Sequence, residues 1–188
     1  MLNRLLGSEK QILLSRRELG ILISEHAEQD DSELDEDEVE IIRGALQLSE
    51  KHVRDIMTPI EKLYWLTPDS RLTPDIIDQI KAKSYSRIPV FSPDLTVSFG
   101  FILMKDLVNI DFDDQIIGVD ELQIYPSNPI GSMMALDTLF RKFISSGTHL
   151  IPVERNDRVI GAVTIEDLLE EILQHEIQDE TDRSRNRT

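Results

Sequence analysis

Between Val53 and Leu173 one short pattern is written twice, and an internal repeat restricts the possible folds more than any composition does. Ser86-Arg87-Ile88-Pro89-Val90 aligns with His149-Leu150-Ile151-Pro152-Val153 at an offset of 63 residues. Gly100-Phe101-Ile102-Leu103-Met104-Lys105-Asp106-Leu107 aligns with Gly161-Ala162-Val163-Thr164-Ile165-Glu166-Asp167-Leu168 at an offset of 61. One loop that differs by two residues accounts for the change, and Ser92-Pro93-Asp94 has the composition of such a turn. Each copy reads as a helix, a strand ending in Ile-Pro-Val, a turn, a strand opened by Gly, and a second helix beginning at the Asp. Strands that carry alternate helices bury their apolar faces in an α/β or α+β arrangement, and we take α+β as the fold class. Two such units are expected to pack with pseudo-twofold symmetry, leaving a cleft between them.

The first helix of copy one has Thr73 as N-cap and Pro74 at the next position, with Ile76, Ile77 and Ile80 as its buried stripe. Met133, Leu136, Leu139, Phe140 and Phe143 form the corresponding stripe in copy two. Upstream, the segment from Glu25 to Glu40 holds ten Asp or Glu and no Lys or Arg. Apolar residues recur at helical spacing on both sides: Ile12, Leu13, Leu19, Leu22 and Ile23 before it, Val39, Ile42, Leu46 and Leu48 after it. The expectation is a helical hairpin whose second helix starts at an Asp35/Glu38 capping pair. The chain then divides into a connector and acidic helical bundle (1–50), copy one (51–115), copy two (116–175) and a charged tail (176–188).

At 188 residues and 40% apolar content the chain can bury a real core. Its net charge of −16 argues against a nucleic-acid partner, because phosphate-backbone binding is driven by Lys and Arg. With no cysteine there is neither a disulfide framework nor thiolate metal ligation. No apolar run approaches the roughly 20 residues that span a bilayer, and Met1 to Lys10 lacks the apolar core of a signal peptide. The chain reads as soluble, yet its ends look like those of a piece cut from something longer. His26, His52, His149 and His175 are too scattered for a zinc site, and Met57, Met133 and Met134 read as core fillers. No Gly-x-Ser-x-Gly, Walker A or paired-carboxylate context supports catalysis. We expect no enzyme.

The repeat resembles a tandem pair of CBS domains, the Bateman module, over about Val53 to Leu173. Val53-Arg54-Asp55-Ile56-Met57-Thr58-Pro59, Tyr85-Ser86-Arg87-Ile88-Pro89-Val90 and Gly161 to Ile172 look, together and in this order, like the CNNM/CorC magnesium transporter family. The Glu176 to Asp182 stretch and the acidic hairpin resemble that family too. The resemblance implies a regulatory module on the cytosolic face of a membrane, attached to its own transmembrane domain. It also implies binding of ATP with Mg2+, and a homodimer formed through the CBS domains.

The residues needed for a nucleotide site are shared unequally between the copies. Thr164 and Asp167 start a helix, where a hydroxyl, free backbone N–H groups and a carboxylate can meet phosphate and ribose. Their counterparts in copy one are Leu103 and Asp106, so the hydroxyl is lost there. Arg87 has the reverse asymmetry, since Leu150 replaces it in copy two and only Arg can grip a phosphate bidentately. One site per chain is expected, built from Tyr85, Ser86, Arg87, Ile88 and Pro89 of copy one and Thr164, Ile165 and Asp167 of copy two. By resemblance Thr58 also lines it. In this assignment Tyr85, Ile88 and Pro89 contact adenine, Asp167 the ribose, and Arg87 with Thr164 the phosphates; Mg2+ travels on the phosphates, with no direct protein ligands.

Plainer readings stand beside these. Thr164 and Asp167 also make an ordinary helix cap, and Arg87 a solvated strand end. The acidic run is either a solvated helix face or a weak cation cluster of Asp30, Asp31, Glu33, Asp35, Glu36 and Asp37; it lacks the glycine of an EF-hand loop. The module as a whole could instead be a stand-alone nucleotide sensor acting on a soluble partner, or a structural dimerisation unit with a vestigial pocket.

Overall fold

In a computed structural model of the chain, residues 14–27, 29, 33–108, 110, 112 and 116–173 are described. The connector before residue 14, Asp30 and Asp31 of the acidic run, His175 and the tail 176–188 lie outside them. The fold is α+β, helices packed on a mixed sheet and two shorter ladders.

Helices α1 (Arg16–Ala27) and α2 (Glu36–Gln47) pack on one another as a hairpin. The start of α2 is fixed locally. The Asp35 carboxylate accepts from the Glu38 N–H at 2.8 Å, and the Glu38 carboxylate accepts from the Asp35 N–H at 3.0 Å, a reciprocal capping box. No α1 residue is buried, and Leu19, Ile21 and Leu22 stay exposed. Helix α2 instead packs on α6 (Ile165–Leu173), so closely that a side chain at Gly44 would run into the backbone carbonyl of Ile172. An ion pair between Lys51 and Glu171 borders this contact.

Short α3 (Val53–Ile56) leads into β1 (Thr58–Pro59). Copy one continues with β2 (Arg71–Leu72), α4 (Pro74–Ala82), β3 (Arg87–Phe91) and β4 (Ser98–Leu103). Thr73 caps α4 by accepting from the Ile76 N–H, and Pro74 occupies the first turn, where its missing donor costs nothing. After β5 (Ile117–Gly118), copy two follows with β6 (Ile130–Gly131), α5 (Leu136–Ser146), β7 (Leu150–Arg155), β8 (Arg158–Thr164) and α6.

The two hairpins share one register. Arg87 faces Leu103 and Pro89 faces Phe101 in β3/β4; Leu150 faces Thr164 and Pro152 faces Ala162 in β7/β8. The loop difference sits at the hairpin tips. In copy two Asn156 and Asp157 both take positive φ, as a two-residue turn requires, whereas in copy one the Asp94 carboxylate organises a longer loop through Ser92 and Thr96.

Each hairpin borrows its outer edge from the other copy. β1, the leader of copy one, pairs antiparallel with β8 through Thr58 and Ala162. Tyr125, in the leader of copy two, bridges Phe101 of β4 in the same sense. The repeated glycines make this exchange possible. A side chain at Gly161 would collide with the carbonyl of Thr58, and one at Gly100, where φ is +120°, with that of Tyr125. Leu139, Phe143, Ile151 and Val163 anchor the core of copy two, and Ile77, Ile80, Ile88 and Ile102 that of copy one. Phe101, Leu150 and Ala162 bridge the two.

Two expectations are corrected. The second helix of copy one is a single 3₁₀ turn, Met104–Leu107. The sequence that follows, Val108-Asn109-Ile110-Asp111, is poor in helix formers, and Phe112 is buried in the core of copy one. The buried stripe of α5 is also narrower than the apolar pattern, with Leu136, Leu139 and Phe143 inside while Met133 and Phe140 remain exposed.

Candidate functional site

Strand β8 delivers Thr164 to the start of α6, where it and Asp167 hold each other. The Asp167 Oδ2 accepts from the Thr164 N–H at 2.7 Å and from its hydroxyl at 2.8 Å, and the Thr164 Oγ1 accepts from the Asp167 N–H at 3.1 Å. All three bonds leave Asp167 Oδ1 without a donor among the described residues. Burial pushes the Asp167 carboxyl above the usual carboxylate range and the charge of Glu166 adds to this, while the Thr164 bonds act in the opposite direction.

Across from them, α4 ends and Ser84 takes a φ of +55°, turning the chain into β3. Tyr85 then stacks on Tyr64 with ring centroids 5.5 Å apart and planes at 22°. Partial burial, and next the neighbouring Tyr85, raise the pKa of the Tyr64 phenol. Between these elements lies a cavity of about 570 Å³. Thr58, Tyr85, Ser86 and Arg87 line it from one side, Thr164 and Asp167 from the other. Its charged rim holds Lys62, Lys83 and Arg87 against Glu166, Asp167 and Glu170, with His149 Nδ1 3.6 Å from Glu166 Oε1. Arg87 is half-buried and makes no hydrogen bond or ion pair among the described residues.

Three residues named from the sequence do not line this cavity. Ile88 is fully buried in the core of copy one, and Pro89 is buried opposite Phe101 in the ladder. Successive strand residues point to opposite faces, so with Arg87 at the cavity Ile88 turns inward. Ile165, the first residue of α6, packs on the core of copy two. Conversely, Lys62, Tyr64, Lys83 and His149 all line the cavity, and none of them stands in a nucleotide-site motif of the sequence. Glu166 and Glu170 were readable, lying one helical turn apart beside Asp167.

The equivalent place in copy one is differently furnished. Pairing with Phe101 as Thr58 pairs with Ala162, Tyr125 stands where Thr58 stands at the other site. Its ring stacks on Phe101 at 5.9 Å and its hydroxyl meets Asp106, the counterpart of Asp167, an interaction that with burial raises the Tyr125 pKa. Of the acidic run, Glu33, Asp35, Glu36 and Asp37 are described, and the Asp35 carboxylate serves the helix cap. No group of three His, Asp or Glu residues is placed to hold a metal ion among the described residues, nor is any helix there long and apolar enough to cross a membrane.

The chain is similar to known CBS-domain proteins. The CBS domain family model matches residues 130–174. A DUF21 domain-containing protein of Arabidopsis thaliana is 33% identical over 157 residues, which are 82% of this chain and 37% of the relative. Protein MAM3 of Saccharomyces cerevisiae is 31% identical over 189 residues, covering 97% of this chain and 26% of its own length. The chain thus spans between a quarter and two fifths of these relatives. Among solved structures, the CBS domain of the bacterial CNNM/CorC family Mg2+ transporter superposes with a TM-score of 0.74 at 26% identity, over 89% of this chain and 100% of that one. The same domain in complex with ATP superposes with a TM-score of 0.63 at 26% identity, over 72% of this chain and 96% of that one.

Proposed function

Given that the chain belongs to the CBS-domain family and stands with the CBS modules of CNNM/CorC Mg2+ transporters, we propose that it is a tandem CBS pair behind an acidic helical bundle. In this reading it binds ATP–Mg2+ at one site per chain and passes the binding event to a membrane domain elsewhere in the protein, without catalysing a reaction.

One observation carries this reading: Thr58, Tyr85 and Arg87 of one copy and Thr164 and Asp167 of the other line a single cavity, in which Arg87 has no partner among the described residues. An unpaired, half-buried guanidinium favours an anion, and its planar fork suits a phosphate. The cavity's polar and aromatic groups are distributed as a nucleotide requires. The stacked Tyr64–Tyr85 pair offers an aromatic face, Asp167 Oδ1 can accept ribose hydroxyls, and Thr164 with the α6 N-terminus faces the phosphates. Tyr125 against Asp106, with Leu103 and Leu150 replacing Thr164 and Arg87, argues that the copy-one place is closed.

A rod connects this cavity to the hairpin. Helix α6 carries Asp167 at one end and, at the other, the Ile172 carbonyl pressed on Gly44 of α2 and Glu171 paired with Lys51. Ligand-induced displacement of α6 has a direct mechanical route to α2 and α1. Exposed Phe140 and Ile144 on α5 and Leu169 on α6 suit a second copy of the chain as partner.

The deciding experiment is calorimetric titration of ATP with magnesium into the wild type and into Arg87→Ala. One nucleotide per chain, bound at least about tenfold more weakly by the variant, is the expected result. No binding, or two equivalents, overturns the reading.

A further inference from the structure

The segment Ser84–Arg87 has a second side. Behind it lies another cavity, of about 560 Å³, for which Ser84, Tyr85, Ser86 and Arg87 form a common wall with the cavity described above. Its remaining walls come from α4, through Ile80 and Lys81, and from the 3₁₀ turn after β4, through Met104 and Lys105, with Leu103 between them. The two cavities differ in charge. Among the described residues the first balances three cations with three carboxylates, whereas Lys81, Arg87 and Lys105 line the second and no carboxylate does.

In a chain of net charge −16 a cavity whose charged lining side chains, among the described residues, are all positive is a local inversion of the protein's field, and it concentrates anions. Little among the described residues neutralises it. Lys81 lies 4.0 Å from Asp78, an exposed pair of small energetic consequence, and Lys105 and Arg87 have no ion pair among the described residues. Two ammonium groups and one guanidinium around a space of this size suit a small anion that carries more than one phosphate group. The Ser84 and Ser86 hydroxyls add donors to the same wall.

We propose that this cavity is a second ligand site, separate from the nucleotide cavity, for a small di- or polyphosphate anion, and that the two ligands compete for Arg87. The competition rests on the nucleotide reading above; the site itself does not. Arg87 can direct its guanidinium to either side of the shared wall, so an anion held by Lys81 and Lys105 draws it from the nucleotide phosphates. Linkage makes the antagonism reciprocal.

Sodium pyrophosphate is the probe, titrated calorimetrically into the whole chain and into two double variants whose folding is checked by circular dichroism. Lys81→Ala/Lys105→Ala removes cations found only at the second cavity; Lys62→Ala/Lys83→Ala removes those found only at the first. The expected result is saturable binding by the wild type, weakened about tenfold or more by the first pair of changes and less than about twofold by the second. With magnesium in excess over both anions, saturating pyrophosphate weakens ATP binding about fivefold or more in the wild type and not in Lys81→Ala/Lys105→Ala. Absence of pyrophosphate binding overturns the proposal. So does binding that follows Lys62 and Lys83, which would put the anion in the nucleotide cavity. Pyrophosphate binding that depends on Lys81 and Lys105 in a chain that binds no ATP leaves the second site standing and removes the nucleotide reading instead.

Discussion

Thr164 and Asp167 clasp one another across the first turn of α6, each side chain accepting the other's backbone N–H, with the threonine hydroxyl also donating to Asp167. The same hydroxyl that caps the helix therefore fixes the carboxylate. Thr164→Val keeps the β-branched shape that β8 favours and removes only that oxygen. The expected cost is about 1 kcal/mol of stability from the lost cap, together with at least about tenfold weaker ATP binding from the released Asp167. Thermal melting and calorimetry measure the two effects; unchanged affinity in a destabilised variant would reduce Thr164 to a cap.

Asp167 gives stability and binding opposite pH dependences. Burial raises its folded-state pKa above the unfolded value, so its contribution to stability is complete below the ordinary aspartate pKa and is lost as pH rises through the raised value. Ribose hydroxyls, in contrast, need the ionised form, so ATP affinity falls as pH falls through that same value. Melting temperature and affinity followed between about pH 4 and 7 should show both trends, and Asp167→Asn should flatten both. Parallel trends in wild type and variant would assign the titration to another group.

Magnesium dependence follows from the charges around the cavity. Lys62, Lys83 and Arg87 face Glu166, Asp167 and Glu170, so the protein offers a triphosphate little net neutralisation. ATP affinity should fall by about tenfold or more when EDTA removes magnesium, while AMP affinity changes little. Equal ATP affinity in the two conditions would show that the three cations suffice.

Gly44 tests the route from cavity to hairpin. Gly44→Ala places a methyl group against the Ile172 carbonyl, and this overpacking outweighs the gain in helix propensity for a net loss of about 1–2 kcal/mol. Nucleotide affinity should stay within about threefold, yet ATP should no longer slow amide hydrogen exchange in α2. Retained protection of α2 in the variant would show that binding is transmitted by another path.

What the sequence made legible was local. The Asp35 and Thr73 caps, the Ile-Pro-Val strands and the turn at Ser92-Pro93-Asp94 each follow from residues within a few positions of one another, and the repeat registered the two hairpins. Of the cavity residues, Arg87 and Thr164 stand out on comparing the copies, where Leu150 and Leu103 replace them, while Tyr85 and Asp167 lie beside them in the same motifs. Ile88 is buried in the core of copy one, the inward direction that strand alternation from Arg87 gives it. Long-range choices were not readable. Nothing in the period of Thr58-Pro59 says that it joins the sheet of copy two, and Lys62 and Tyr64 follow it to the cavity, while Lys83 and His149 reach it from the end of α4 and the start of β7.

The exchange of edges also bears on how the chain is made. Thr58–Pro59 leave the ribosome roughly a hundred residues before Gly161–Ala162, the partners they pair with. Copy one can close its own β3/β4 hairpin early, but Phe101 waits for Tyr125, and β1 waits until β8 of copy two has been synthesised. Through that interval two strand edges stand open to other nascent chains. A stop codon between the copies would therefore release not a smaller working domain but a chain with a permanently unpaired edge, prone to association and proteolysis.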